Sequence, residues 1–353
     1  MNQIKFDLND IVIVPAEKSE INSRKSCNVY RPIEKKLNTL PLMASPMDTV
    51  VSIHNFEKYI QNGIIPCLPR GQFIKEDKST IKPYFQSFGL CEIETQLQNY
   101  KIGYHLPHKE IFYNHKYVLI DIANGHMEKL LKFVEEIKYY CPDMKLMVGN
   151  IANPETFVNF GLAGADYVRC SIGTGAGCTT AANVSINYPM GSLIRECHKL
   201  KKDYKLNTKI IADGGMKNYS DIIKALALGA DYVMIGSIFN KTIESAGYNY
   251  LWKIRLNNKW AEKLWKYNFP IKKKYRGMST KAVQRSWGKS ELVTAEGITK
   301  YQNVEYTLEQ WTENFKDYLK SAMSYCNAKN LDDFIGVAQY VFITDAARRR
   351  FDK

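Results

Sequence analysis

KIIADGGMKNYSDIIKALALGADYVMIGS, residues 209–237, decides the fold. Two apolar runs, 209–215 and 232–236, enclose a segment at 219–228 whose apolar residues recur on one stripe and which stops at Gly229-Ala230. Unbroken apolar runs of this length suit strands covered on both faces, and strand, helix and strand in succession imply parallel pairing through a right-handed crossover. The same alternation extends outward. Runs at 40–46, 63–68, 84–90, 117–123, 145–151 and 167–172 precede it, with a striped helix at 127–140 carrying Leu130, Leu131, Val134 and Ile137. Eight strands over roughly 200 residues predict an α/β protein with a closed (β/α)8 TIM barrel rather than an open sheet. The expected organisation is one domain over 1–353. Within it, 248–306 is a flap and irregular region rich in Lys, Asn and Trp, and a helix follows at 308–326.

A barrel gathers the C-terminal ends of its strands on one face, where such enzymes place their chemistry. Polar or glycine residues stand at six of those ends: Asp48, Asp121, Asn150, the loop carrying Cys178, Asp213-Gly214-Gly215 and Gly236-Ser237. The richest is GTGAGCTT, 173–180, which sets Cys178 in a glycine loop after the sixth run, with a hydroxyl at Thr180 two residues on. An ordinary thiol is only a few per cent thiolate near neutral pH, so a nucleophilic cysteine needs loop N–H groups or a proton relay beside it. The alternative reading is a tight turn with an inert buried thiol.

Composition bounds the function. The net charge of +13 in 353 residues favours anionic partners. Basic residues are dispersed, apart from Lys272-Lys273-Lys274 and Arg348-Arg349-Arg350, and no nucleic-acid motif accompanies them, so a nucleotide-sized anion is expected and nucleic acid is not. No apolar run reaches the ~18 residues of a membrane span and the N-terminus lacks a signal-type apolar core, so no membrane partner and a cytoplasmic location are expected. The eight cysteines form no CxxC pair, which suits reduced thiols.

Four segments, SPMDTV (45–50), GTGAGCTT, ADGG with ALALGADYVMIGS (212–237) and YRGMS (275–279), together resemble the family of inosine-monophosphate dehydrogenases and guanosine-monophosphate reductases, and the resemblance runs nearly end to end. It implies a TIM barrel, a homotetramer, and a purine mononucleotide bound beside a nicotinamide cofactor, and the 50 residues between Arg70 and Asp121 leave no room for the CBS modules that many dehydrogenases insert there. Cys178 would add to purine C2, with Thr180 relaying a proton from Glu296. Asp213 would hold the ribose hydroxyls. Gly214, Gly215, Gly236, Ser237 and Tyr275, with Gly277, Met278 and Ser279, would receive the rest of the nucleotide. Ser23, Arg24, Arg70, Asp121, Ile122 and Ala123 would meet the cofactor, and the carbonyls of Gly173, Gly175 and Cys178 would hold potassium or another monovalent cation.

The family's two branches part at the covalent intermediate: the dehydrogenase hydrolyses it with water, the reductase releases ammonia and takes hydride from NADPH. The dehydrogenase flap carries an adjacent Arg-Tyr pair, whereas here Arg285 is followed by Ser286. That, DIANG at 121–125 and Asn22-Ser23-Arg24 resemble the reductase branch, with Arg24 placed for the 2′-phosphate of NADPH. SPMDTV, YRGMS and the tail AMSYCNAK resemble the dehydrogenase branch. Ala176, Ala181 and Val293 replace residues that commonly touch nucleotide or cofactor, so a third reading is a nucleotide-binding barrel without turnover.

Overall fold

The computed structural model describes residues 4–34, 37–74, 82–101, 112–286, 294 and 296–351. Eight parallel strands form a closed barrel: β1 Leu42–Ala44, β2 Ile65–Leu68, β3 Phe85–Phe88, β4 Tyr117–Ile120, β5 Lys145–Ile151, β6 Tyr167–Cys170, β7 Lys209–Asp213 and β8 Tyr232–Ile235. Each pairs with the next, and β8 closes on β1 with Val233 opposite Leu42. These are the eight expected strands, mostly shorter at their C-terminal ends than the apolar runs that announced them. The surplus residues, among them Ser45-Pro46, 121–123, Ser171-Ile172 and Gly214-Gly215, have left the sheet to line a cavity.

The unbroken apolar runs have a simple cause. Strand side chains alternate between faces, and in this barrel both faces are buried. Met43, Phe85, Leu119, Met147, Tyr167, Ile211 and Met234 fill the interior. Their neighbours Val118, Val148, Val168, Ile210 and Val233 pack outward against the helical layer. Interior parity continues upward: Asp121 follows Leu119, Arg169 follows Tyr167 and Asp213 follows Ile211 at two-residue steps, so three charged side chains form the layer above the apolar filling.

Residues 248–306 differ from the irregular region expected. They carry a four-stranded antiparallel sheet of Asn249–Leu251, Ile254–Leu256, Ile271–Arg276 and Thr299–Asn303. Helix Asn258–Lys266 packs Ala261, Leu264 and Trp265 against Leu251 and Ile271 of this sheet. Strands of three residues are too short to show a period, and Lys272–Lys274 masks the alternation of the third. Helix Leu308–Tyr325 begins where expected. Thr307 Oγ1 accepts from the Gln310 N–H at 3.1 Å while the Gln310 side chain accepts from the Thr307 N–H at 3.0 Å, a reciprocal cap that satisfies two otherwise orphaned donors. Among the described residues no helix is long and apolar enough to cross a membrane, and all eight cysteines are free.

Candidate active site

A cavity of about 670 Å³ opens over the C-terminal ends of the strands. Cys178 reaches it from a loop whose backbone is tied down on both sides. Within the loop the Cys178 N–H donates to the Gly175 carbonyl at 2.8 Å. Across it, the Thr179 N–H donates to the Glu296 carbonyl at 2.8 Å and the Ile298 N–H to the Gly177 carbonyl at 3.0 Å, with Cys178 and Gly297 paired as an antiparallel bridge. Segments more than a hundred residues apart thus meet. The close approach depends on glycine: a Cβ on Gly277 would run into the Gly177 carbonyl oxygen.

This pairing assembles a chain of proton-carrying groups. Cys178 Sγ lies 3.2 Å from Thr180 Oγ1, whose hydroxyl donates to Glu296 Oε2. A hydroxyl that accepts from one neighbour while donating to the other can pass a proton between thiol side and carboxylate.

The charged layer lines the same cavity as the thiol. Arg169 is buried between two carboxylates: Nη1 donates to Asp121 Oδ1 at 2.6 Å and Nε to Asp213 Oδ2 at 3.0 Å. Burial pulls the guanidinium pKa down, but Asp213 and Asp121 more than offset this and hold it above its ordinary value, so Arg169 stays charged. Arg70 donates to the Asp121 carbonyl, which balances two cations against two anions. Asn150 Nδ2 also donates to Asp213 Oδ2, at 2.7 Å. Because these hydrogen bonds converge on Oδ2, Oδ1 is the oxygen Asp213 can turn to a ligand. Arg169 and this use of Asn150 were missed from sequence. The available signal was a charged residue at an inward position of an otherwise apolar strand.

The remaining wall is backbone-rich. Gly214 and Gly215 adopt φ of +76° and +83°, which only glycine tolerates readily, and Gly215 packs against Thr174. Gly214 directs its N–H to the Met234 carbonyl at 3.2 Å, so its part in any anion cradle is to shape the turn. Tyr275 is buried with its hydroxyl 3.7 Å from Met47 Sδ. Burial, then Asp213 and Cys178, push its pKa well above the usual phenol value, so it remains a hydrogen-bond donor.

Of the sequence-predicted residues, Cys178, Thr180, Glu296, Asp213, Gly214, Gly215, Gly236, Ser237, Tyr275, Gly277, Met278 and Ser279 share this cavity. So do Gly173, Gly175, Arg70, Asp121, Ile122 and Ala123. Ser23 and Arg24 are not part of its lining. Ser23 caps a short 3-10 turn, and Arg24 lies on the surface 3.9 Å from Asp317. Asp48 is also outside the lining, held by Arg276 through two hydrogen bonds. Arg285 is exposed on helix Lys281–Ser286, away from the cavity, and Val293 lies outside the described residues.

The family model of the IMP dehydrogenase / GMP reductase domain matches residues 111–351. An inosine-5′-monophosphate dehydrogenase of Chlorobaculum parvum is 35% identical over 244 residues, 66% of this chain but only 46% of that protein, so the match spans about half the relative's length. A GMP reductase of Onchocerca volvulus is 26% identical over 375 residues, 99% of this chain and 94% of its own. One from Buchnera aphidicola of Schizaphis graminum is 32% identical over 256 residues, 69% and 71% of the two chains. With its closed barrel, its cysteine loop and this match, the chain belongs to the IMP dehydrogenase / GMP reductase family.

Proposed function

We infer that this chain is a GMP reductase: GMP, NADPH and two protons give IMP, ammonium and NADP. The observation that carries the reading is the Cys178–Thr180–Glu296 chain of contacts. Cys178 Sγ bonds to purine C2, and Thr180, resupplied by Glu296, protonates the 2-amino nitrogen so that it departs as ammonia. NADPH, when bound, supplies hydride to C2, and the C2–S bond then breaks to release IMP and restore the thiol. Asp213 Oδ1 accepts from the ribose hydroxyls. The Gly215, Gly236 and Ser237 backbone and the Tyr275 hydroxyl receive the phosphate.

The cofactor corner fits a dinucleotide in part. Asp121, Ile122, Ala123 and Arg70 line the same cavity as the glycine turns. Ser23 and Arg24 stand on the outside of the same chain, where they would reach a cofactor only across a contact between copies, in keeping with a homotetramer. For a monovalent cation, the Gly173, Gly175 and Cys178 carbonyls offer hard oxygen donors, with Gly175 shared with the Cys178 N–H. The reading places the enzyme in the cytoplasm as one domain in which 248–306 serves as the flap.

The dehydrogenase direction is the second reading, favoured by the 35% identity to the Chlorobaculum protein. The same relay could deprotonate water, but the exposed Arg285 offers that step no help. One assay separates the two. With GMP and NADPH, nicotinamide absorbance should fall in step with ammonia released. Cys178→Ala should abolish both, and Glu296→Gln should slow them by roughly 10²- to 10⁴-fold with nucleotide affinity little changed. Formation of XMP from IMP and NAD, with no ammonia from GMP, would overturn the assignment.

A further inference from the structure

The flap sheet uses only one of its faces for packing. Directly paired residues share a face and successive residues alternate. Asn249 pairs with Leu256 and Lys273, and Leu251 with Ile271, so these lie on the side covered by helix Asn258–Lys266, while Ile254 at the edge of the same side is exposed. The other face is read from the intervening rows. Tyr250 lies between Arg255 and Lys272, Lys272 lies opposite Asn303, and Lys274 opposite Tyr301. Three cations and two tyrosines are thereby brought together from four strands. No acidic and no aliphatic residue is among them.

The groups on this face reach solvent to different degrees. Arg255 and Lys272 are exposed, Lys274 is half-buried, and Tyr301 is 54% exposed. Among the described residues none of the three cations has a carboxylate partner, unlike Arg276 at the end of the same strand, which Asp48 holds. Tyr250 and Tyr301 meet edge to face with ring centroids 5.2 Å apart, and the Arg255 guanidinium lies 3.6 Å from the Tyr248 ring centroid. Flat π surfaces flanked by unneutralised cations suit bases stacked beside phosphates. A lipid surface would call for protruding aliphatic side chains, and a second copy of this face would be repelled by like charge.

We propose that, against the expectation drawn from the dispersed basic residues of the sequence, the Tyr250–Tyr301 face of the flap sheet binds single-stranded nucleic acid, without strong sequence preference and independently of the catalytic reading. The test is fluorescence anisotropy with labelled oligouridylate and oligothymidylate of about 12 nucleotides. Binding should weaken roughly twentyfold between about 50 and 200 mM salt, as expected when about three phosphates are neutralised. Tyr301→Ala should weaken it by about tenfold or more, and Lys272→Gln should reduce the salt slope, while both variants keep the wild-type urea-denaturation midpoint as evidence of intact folding. Three results would each overturn the proposal: no binding at low salt, oligonucleotide affinity unchanged in Tyr301→Ala, or capture by phosphatidylserine vesicles without capture of either oligonucleotide.

Discussion

At the scale of single residues, the site depends on a charge the apolar barrel could not otherwise hold. Arg169 lies between Asp121 and Asp213, and its Nε and Nη1 hydrogen bonds, with Nη2 2.9 Å from Asp213 Oδ2, match a planar fork rather than an ammonium. Arg169→Met would leave Asp121 and Asp213 facing each other without their bridge. Stability should fall by about 3–5 kcal/mol in urea denaturation, and nucleotide affinity should fall with it because Asp213 is no longer held. That Cys178 and Glu296 share the site was legible from sequence, the first from its glycine loop and the second through family resemblance. Arg169 was not, because a lone charge in an apolar run declares its purpose only when the strands on either side supply the opposing carboxylates.

At the scale of elements, the strands of the barrel were legible because burial on both faces leaves unbroken apolar runs. The flap sheet was not, because its strands are short and Lys272–Lys274 conceals which side chain points inward. Lys273 is fully buried while both lysine neighbours face outward. The helix after the sheet was legible through its cap. Thr307→Ala removes the hydroxyl that accepts from the Gln310 N–H, and should lower stability by about 1 kcal/mol with little effect on turnover, since the cap lies outside the cavity lining.

At the scale of the whole molecule, pH bears on stability through Lys273. Its ammonium donates to the Ser245 carbonyl at 2.7 Å, and burial, only partly offset by Glu244 and Glu262, lowers its pKa from 10.5 to about 7. Between those values the unfolded chain holds a proton that the folded one has released. This group therefore makes stability rise with pH from about 7 toward 10.5, by at most about 1.4 kcal/mol per pH unit, and contributes no slope below about 7. Lys273→Met should lack that rise. In urea denaturation at several pH values above 7, the stability of wild type relative to the variant should climb as pH increases, and parallel curves would contradict the assignment.

The amino-acid order by itself determined the barrel, its glycine turns and the cysteine loop, because apolar periodicity, glycine and a thiol act over a few neighbouring residues. Only the tertiary structure decided which charges face one another and that the flap sheet gathers cations and tyrosines on one face. Those outcomes depend on strand register and on contacts between segments far apart in the chain, and local composition carries no record of either.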